Sequence, residues 1–272
     1  MPLATLTDVL VPAMAGGRAV VGAVCLGWED MRAYARAAEA EDLPIILQAG
    51  PSCRAHTPLP VLGAMMRHLA EASPVPIVVH LDHGASPDEC RAAIDAGFTS
   101  VMYDGSRLPF AENARITAEC VRLARDAGIS CEGEIGFVGY DGGAASEGTD
   151  PDEAGRFAIE TGVDALAVSV GNVHLQTSEG AALDEDRLTA IAERTDVPLV
   201  IHGGSGVPRA QRPRIARGPV GKVNIGTELR RVFGTALRRA LADPGRFDRV
   251  EIMREVEAPL TNAARAVLKE FA

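Results

Sequence analysis

The sequence has few aromatic residues and no long uninterrupted apolar run. Only 4% of its 272 residues are aromatic, although 47% are hydrophobic. A core built mainly from Ala, Val and Leu is typical of helices packed on a parallel sheet, and this length suits one large α/β domain. Because the chain lacks a run of about 18 apolar residues, we expect no membrane-spanning helix.

Positive charge is also scarce. The chain carries 27 Lys and Arg against 37 Asp and Glu, for a net charge of −10. It therefore lacks the basic footprint of a nucleic-acid-binding protein and the polybasic patch of a protein held at a membrane surface. The local arginine group at 212–217 is interpreted as a solvated helix face. We expect neither a nucleic-acid partner nor a membrane partner.

The cysteine pattern contains no CxxC pair and shows no disulfide framework. The five cysteines are Cys25, Cys53, Cys90, Cys120 and Cys131. An odd number in a chain of this size predicts reduced, mostly buried thiols. The N-terminus has no basic segment followed by an apolar one, so no signal peptide is predicted. Both features favour a cytoplasmic protein.

What the sequence does contain is a regular alternation of apolar runs and helix-like segments. The runs occupy 18–26, 44–50, 75–83, 98–106, 129–136, 163–174, 197–206 and 219–227. Alternating strands and helices predict right-handed crossovers and a parallel sheet. Eight such units predict a single (β/α)8 barrel domain over residues 1–272, with extra C-terminal helices. The alternative is an open doubly wound sheet, but no GxGxxG follows the first run.

Polar residues lie at the ends of these runs, where barrel enzymes carry their active sites. Four of the six histidines have such positions: His80, His83, His174 and His202. Taken alone, His80 is best interpreted as a hydrogen-bonded core histidine. Three neutral imidazoles with an open fourth position are typical of catalytic zinc. We therefore predict that His83, His174 and His202 bind Zn²⁺ or another divalent ion.

Carboxylates accompany the predicted metal ligands. Asp82 precedes His83 and is suitably placed for proton transfer. Glu132 and Glu134 alternate along one run, so both side chains belong to one face of the strand. They form either a polar layer inside the barrel or a set that supports or binds the metal.

The segment HGGSG at 202–206 suggests an anion site. Backbone N–H groups of Gly203, Gly204 and their neighbours can form a nest for an anion, and many barrels bind phosphate after strands seven and eight. Ser205, Asn224 and Thr227 add side-chain donors. A tight turn that merely requires glycine is the alternative. The segment KVNIGT at 222–227, one strand later, favours the phosphate site.

Together these motifs resemble the class II, metal-dependent ketose-bisphosphate aldolases of the fructose- and tagatose-bisphosphate group. The resemblance covers nearly the whole chain and rests on VHLDHG, SVMYDGS, CEGEIG, the stretch 149–174, PLVIHGGSGVP and KVNIGTELR, in the family's order. It implies a (β/α)8 barrel with a divalent metal, usually zinc, on His83, His174 and His202. It also implies that Asp82 is catalytic and that Glu134 lies near the metal.

The same resemblance implies the substrate contacts. Gly203, Ser205, Asn224 and Thr227 match residues that hold the phosphate of dihydroxyacetone phosphate. Arg254 matches, more loosely, a C-terminal arginine that reaches a second phosphate from a partner subunit. Small phosphorylated sugars or triose phosphates plus an aldehyde are the implied partners, and a homodimer or homotetramer is the implied assembly.

Three segments depart from the family pattern. Leu175 replaces a glycine that helps to bind phosphate and a monovalent cation. The loop 137–149 has Gly142 in place of the glutamate that moves protons at carbon, and Asp141 or, second to it, Glu147 is the nearest substitute. Cys25 and Trp28 stand in a segment that commonly contains Asn. We expect Asp141 to act as the base and the loop to be a mobile lid.

These observations predict a metal-dependent aldolase that joins or cleaves a dihydroxyacetone-phosphate-like donor and a non-standard aldehyde. Two alternatives stay open. One keeps the metal and performs hydrolysis or isomerisation with activated water. The other is a non-catalytic homologue that binds a sugar phosphate.

Overall fold

The computed structural model describes residues 3–178, 180 and 182–272. The strands are β1 (Leu3–Ala4), β2 (Val20–Cys25), β3 (Ile45–Ala49), β4 (Ile77–Gly84), β5 (Ser100–Tyr103), β6 (Ser130–Ile135), β7 (Ala165–Val168), β8 (Leu199–Ile201) and β9 (Val220–Ile225). The helices are α1 (Leu6–Ala15), α2 (Trp28–Glu41), α3 (Pro51–His56), α4 (Leu59–Ala72), α5 (Pro87–Asp95), α6 (Phe110–Asp126), α7 (Pro151–Thr161), α8 (Glu185–Ala192), α9 (Arg212–Ala216), α10 (Thr227–Ala240) and α11 (Arg249–Glu270).

Strands β2 to β9 form a closed, all-parallel barrel. The order is β4-β3-β2-β9-β8-β7-β6-β5, and β5 pairs back with β4 to complete the circle. Seven of the eight predicted apolar runs contain one strand each, the run 75–83 covers β4 except for its last residue, Gly84, and the helices surround the strands. The (β/α)8 prediction is therefore confirmed. The single-domain boundary 1–272 stays a prediction, which the continuous barrel supports.

The N-terminal segment was not predicted to contribute, yet it closes the bottom of the barrel. β1 pairs with the start of β4, and Thr5 then caps α1 in a reciprocal arrangement with Asp8. Leu6 and Leu10 of α1 are fully buried in the same cluster as the inward-facing side chains of the lower barrel, such as Ile46. Burial of this face, rather than helix propensity, holds α1 in place.

Local signals explain how the outer helices start and stop. Ser86 caps α5 by accepting a hydrogen bond from the N–H of Glu89, and Pro87 occupies the first turn. α7 begins with Asp150 and Pro151 in the same way, and it ends at Gly162 with φ of 69°. These are the Ser or Asp cap, the early Pro and the terminal Gly that helix-boundary rules anticipate.

The arginine group at 212–217 corrects one expectation, because it is not uniformly solvated. Arg212 is buried, and its Nη1 lies 3.0 Å from a carboxylate oxygen of Glu228 and 2.6 Å from one of Glu270. Charge complementarity allows this guanidinium to be buried between α10 and α11. Arg214 is exposed, as predicted. Among the described helices, none is long and apolar enough to span a membrane.

Candidate active site

Three histidines from three strand ends meet at the mouth of the barrel. His83 is the penultimate residue of β4, His174 follows β7 and His202 follows β8. One nitrogen from each ring lies within 4.8 Å of the others, and the ring centroids are 4.6 to 5.6 Å apart. Parallel strands in a barrel bring their carboxyl ends together. His83 and His174 can therefore share one site although they are 91 positions apart along the chain.

A local irregularity of β4 aims two consecutive side chains at this mouth. Strand alternation would send Asp82 and His83 to opposite faces. The register of β4 against β5 shifts between Leu81 and Gly84, and His83 takes a left-handed backbone with φ of 52°. Such bulges re-aim side chains beside active sites, and a non-glycine residue held at positive φ is strained.

Arg54 of α3 braces this irregular segment. Its guanidinium donates to the carbonyl oxygens of Asp82 and His83, at 2.6 and 3.0 Å, and pairs with Glu89 at 2.8 Å. Nδ1 of His83 lies 2.7 Å from Oδ2 of Asp104, which orients the ring. Carboxylates in this position commonly support metal-binding histidines.

Unpaired buried atoms show that the histidine cluster fits a cation. Nδ1 of His202 and Oε2 of Glu134 are buried without a hydrogen-bond partner among the described residues, and they lie 3.6 Å apart. A buried polar atom left unpaired is costly, so such atoms mark places where a ligand belongs. Glu134 also forms a second potential ligand group with His83 and Asp104. Imidazole nitrogens and carboxylate oxygens suit zinc and other divalent ions.

The protonation states of the cluster are set by burial and by the carboxylates. Burial, together with the neighbouring imidazoles, lowers the pKa of His174 to about 3, and burial lowers that of His202 well below its usual value. Burial also disfavours charge on His83, but Asp82, Asp104 and Glu134 outweigh it and raise its pKa to about 10. Burial raises the pKa of Glu134 to about 8. The cluster thus presents two neutral imidazoles beside acidic groups.

Beneath the histidines, a buried chain of polar groups crosses the barrel. Nε2 of His202 lies 3.1 Å from Glu132, and Glu132 pairs with Nζ of Lys222 at 2.6 Å. Lys222 also lies 3.2 Å from His80, whose other nitrogen contacts Ser100 at 2.8 Å. Glu132 thus belongs to a polar layer inside the barrel and also contacts a candidate metal-binding histidine. These are the two alternatives that the sequence left open for it. His80 is the core histidine that was expected.

The mouth of the barrel encloses a cavity of about 230 Å³. The predicted site residues that line it are Asp82, His83, His174, Gly203, Ser205, Asn224 and Thr227. Asp82 is buried, and Nδ2 of Asn224 approaches its carboxylate at 3.4 Å.

The candidate phosphate loop depends on glycine at one position. Gly203 has φ of 66°, and a Cβ there would lie 2.2 Å from the carbonyl oxygen of Val173. No other residue fits such a close approach between the β7 and β8 loops. Oγ of Ser205 accepts hydrogen bonds from the N–H groups of Gly226 and Glu228, which ties this loop to the start of α10.

Comparison with known proteins agrees with this geometry. The family model described as class-II fructose-bisphosphate aldolase matches residues 4–272. The chain belongs to the class II fructose-bisphosphate aldolase family. It is accordingly a metal-dependent aldolase, an aldehyde-lyase of the (β/α)8 class.

Individual relatives show the same family and more than one named substrate. A fructose-bisphosphate aldolase from Geobacillus stearothermophilus is 36% identical and is matched over 98% of this chain and 95% of its own. A 6-phospho-5-dehydro-2-deoxy-D-gluconate aldolase from Shouchella clausii is 38% identical over 80% of this chain and 76% of its own. The crystal structure of the YdjI aldolase from Escherichia coli K12 has a TM-score of 0.88 at 30% identity, covering 99% of this chain and 97% of that one.

Some predicted residues of the aldolase lie away from the cavity. Gly204 is buried against Val223 of β9. Asp141 is exposed, and Arg254 is exposed on α11; neither lines the cavity of its own chain. The roles predicted for these residues, including a contribution of Arg254 to a partner subunit, stay predictions.

The loop over the aldolase site presents an aromatic side chain instead. Tyr140 lines the cavity, and its ring stacks on His174 with centroids 4.9 Å apart. The loop backbone is paired with the same histidine, because the N–H of His174 donates to Gly139 at 2.8 Å and that of Asp141 donates to His174 at 3.0 Å. The sequence did not predict Tyr140 as a site residue, because Gly142 in place of a glutamate pointed to the carboxylates Asp141 and Glu147 as its substitutes.

Leu175 keeps a glycine-like backbone in this aldolase. It lines the cavity, is 49% exposed and has φ of 61°, a conformation that costs a non-glycine residue roughly 1–2 kcal/mol. The chain therefore retains the local path that the family builds with glycine while placing an apolar side chain at the mouth.

Proposed function

We propose that this aldolase cleaves and forms the carbon–carbon bond of a ketose phosphate, with a divalent cation on His83, His174 and His202. The observation that carries the proposal is the meeting of these three rings at the mouth of the barrel, with a buried, unpaired nitrogen on His202. His83 and His174 line the same cavity as Gly203 and Ser205 of the candidate phosphate loop. Zinc is the foremost candidate, since borderline-soft imidazole ligands and an open position favour it. Glu134 would be an additional or alternative ligand.

The phosphate of a dihydroxyacetone-phosphate unit would bind between the β8 and β9 loops. The N–H of Gly206 already donates to the carbonyl oxygen of Gly203 at 3.0 Å. The backbone N–H groups of residues 203–205 and the side chains of Ser205, Asn224 and Thr227 would therefore supply the donors. Gly204 would contribute through its backbone alone. Leu175 would weaken this site, and any monovalent-cation site beside it, without removing the other donors.

A bound divalent ion would act as a Lewis acid that polarises the ketose carbonyl and stabilises the negative charge formed when the bond breaks. Asp82 would remove the proton from the hydroxyl oxygen that becomes the aldehyde oxygen, and return it in the reverse direction. Asn224, 3.4 Å from Asp82, would help to hold this carboxylate in place. Burial of Asp82 at the cavity floor excludes bulk water from the proton transfer.

The remaining proton belongs to the carbon of the dihydroxyacetone-phosphate unit. We propose Asp141 for this transfer, from the loop 137–149 acting as a lid. Its backbone N–H is already tied to His174, so a shift of the loop would move Asp141 and the metal-site loop together. Tyr140 covers the site on the same segment.

The aldehyde half of the substrate is proposed to differ from that of fructose bisphosphate. Leu175, Cys25 and the altered lid loop all line or cover the cavity. The relatives support a choice of substrates, because one is named for fructose bisphosphate and another for 6-phospho-5-dehydro-2-deoxy-D-gluconate, a sugar acid.

We further propose a cytoplasmic homodimer or homotetramer. Leu241, Phe247 and Val250 are exposed near the start of α11, and Phe247 is 91% exposed, which supports an interface there. The five free, buried thiols support a reducing compartment.

The test is condensation of dihydroxyacetone phosphate with a panel of aldehydes, together with exchange of its methylene proton into solvent. Exchange needs no aldehyde, so it reports the metal, the phosphate site and the base on their own. We expect exchange that depends on added divalent metal and is abolished by His83→Ala. Absence of exchange in fully metallated protein would refute the proposal.

A further inference from the structure

Arg230 is a cationic side chain in the active-site cavity that neither the motifs nor the proposed mechanism uses. It lies in α10, close to the candidate phosphate loop, and lines the same cavity as Asp82 and His174. Its Nε is buried and has no hydrogen-bond partner among the described residues. No carboxylate of the described residues, 3–178, 180 and 182–272, lies within ion-pairing distance of its guanidinium.

The lack of a partner is unusual for a guanidinium in this setting. Arg54 and Arg212, two arginines of this chain with buried side chains, both pair with glutamates. Asp30, which lines a cavity together with Arg230, is turned toward the backbone, where its Oδ2 accepts hydrogen bonds from the N–H groups of Leu26 and Gly27. An arginine offers five donors in a planar fork, so an unpaired one in a cavity is well suited to an anionic ligand.

Space for such a ligand continues past Arg230. This residue and Leu26 line both the active-site cavity and a second cavity of about 500 Å³. Trp28, His56 and Arg249 line the second cavity as well. The acids Glu29 and Asp30 line it too, and Glu29 lies 3.8 Å from Arg249. A substrate held at the metal could therefore extend along Arg230 toward α2 and α3, where Arg230 is the cationic group without a carboxylate partner among the described residues.

We propose that Arg230 recognises an anionic group, a carboxylate or a phosphate, on the aldehyde half of the substrate. This inference rests on the proposed function, which assigns the other half to the metal and to the loops after β8 and β9. A guanidinium binds either group through two parallel hydrogen bonds, which gives geometric selectivity as well as affinity. Arg230 would thus decide which aldehydes the enzyme accepts, without taking part in the bond-making step.

The competing assignment is the phosphate of the dihydroxyacetone-phosphate half. A Cβ on Gly226 would lie 3.9 Å from Nε of Arg230, so this nitrogen is near the phosphate loop. The two assignments predict different kinetics. If Arg230 binds the aldehyde half, its loss slows only the reactions of charged aldehydes; if it binds dihydroxyacetone phosphate, its loss slows the reactions of all aldehydes.

The experiment compares wild type, Arg230→Gln, Arg230→Lys and the control Arg238→Gln, an exposed arginine later on α10. Each variant is assayed for condensation of dihydroxyacetone phosphate with glyceraldehyde 3-phosphate, malonate semialdehyde and neutral glyceraldehyde. We expect Arg230→Gln to lower kcat/KM for at least one charged aldehyde by about 100-fold, the loss typical of a broken buried charge pair. Neutral glyceraldehyde should change by less than about threefold, as should all reactions of Arg238→Gln.

Arg230→Lys should recover part of the loss, since it keeps the charge but not the fork. The charged aldehyde affected identifies the anion as phosphate or carboxylate. A raised KM for dihydroxyacetone phosphate with equal losses for all aldehydes would place Arg230 in the phosphate site and overturn the inference. An Arg230→Gln enzyme that still prefers charged aldehydes to neutral glyceraldehyde would also overturn the inference. So would a wild-type enzyme that shows no preference for charged aldehydes. Proton exchange separates these outcomes from failure of the proposed function, because it must persist in wild type for the function to stand.

Discussion

The ammonium of Lys222 lies 2.6 Å from the carboxylate of Glu132 in the interior of the barrel, where neither side chain is exposed to solvent. The other oxygen of Glu132 lies 3.1 Å from Nε2 of His202, whose Nδ1 faces the candidate metal site. A lysine from β9 therefore compensates the charge of a β6 glutamate that orients a histidine following β8. The contact between Lys222 and Glu132 therefore links the stability of the barrel interior to the candidate metal site.

Removal of Lys222 should destabilise the protein strongly. Lys222→Met leaves Glu132 as an uncompensated buried charge, and we expect a loss of about 3–5 kcal/mol in the free energy of unfolding. The double variant Lys222→Met, Glu132→Gln should recover much of it, because no charge then remains buried. Urea unfolding of metal-free protein measures both. A double variant no more stable than the single one would contradict this account.

Loss of Asp104 should weaken the metal site without dismantling it. Asp104→Asn keeps the size of the side chain but removes the charge that orients His83 from 2.7 Å. Removing such a supporting carboxylate typically costs about 10- to 100-fold in metal affinity. Titration with zinc against a competing chelator measures the change. We expect proton exchange to return at saturating metal; His83→Ala serves as the control that does not recover.

Removal of two hydroxyls should weaken binding of the phosphate. In the double variant Ser205→Ala, Thr227→Ala, backbone donors remain, so we expect KM for dihydroxyacetone phosphate to rise by about 10- to 100-fold, the cost of one or two charge-assisted hydrogen bonds. Metal content should not change. Substrate binding equal to that of wild type would count against the phosphate site.

Substitutions in the loop 137–149 test whether it supplies the base that moves the proton at carbon or only covers the cavity. Asp141→Asn should lower the rate of proton exchange by about 100-fold or more if its carboxylate moves the proton at carbon. Tyr140→Phe keeps the ring on His174 and should leave exchange within about threefold of wild type. Exchange at the parental rate in Asp141→Asn would exclude this base and direct attention to Glu147, tested as Glu147→Gln.

Asp30 should make the stability of the fold depend on pH. Burial raises its pKa above the usual value, although the N–H groups of Leu26 and Gly27 oppose the shift. The folded protein then holds this proton to higher pH than the unfolded chain does, so Asp30 lowers stability as pH rises through its unfolded and folded pKa values.

Asp30→Asn keeps an oxygen that can accept the same two hydrogen bonds, both of which go to Oδ2. We therefore expect Asp30→Asn to gain stability relative to wild type as the pH rises from about 4, near the ordinary aspartate pKa, to about 7. The measurement is the urea midpoint of each protein at the two pH values. A difference that is the same at both pH values would show that Asp30 titrates alike in the two states.

The sequence by itself determined the barrel and the approximate place of the site. Apolar runs alternate with helices at a spacing that parallel crossovers require, and the histidines stand at run ends. Because the carboxyl ends of parallel strands converge, position along the chain was enough to predict that His83, His174 and His202 meet. The place of the candidate phosphate loop could be predicted for the same reason, from glycines next to one of these ends, while its binding of phosphate stays a prediction.

Only the tertiary structure decided which other side chains join them. Lys222 and Glu132 are 90 residues apart, and their pairing depends on barrel closure and on which face each strand turns inward. Arg54 and Arg230 project from helices, whose rotation follows from packing over their whole length. The burial of Arg212 between two glutamates likewise has no local signal. Charged groups are placed by partners distant in sequence, and the energy of those pairs exists only after the elements have packed.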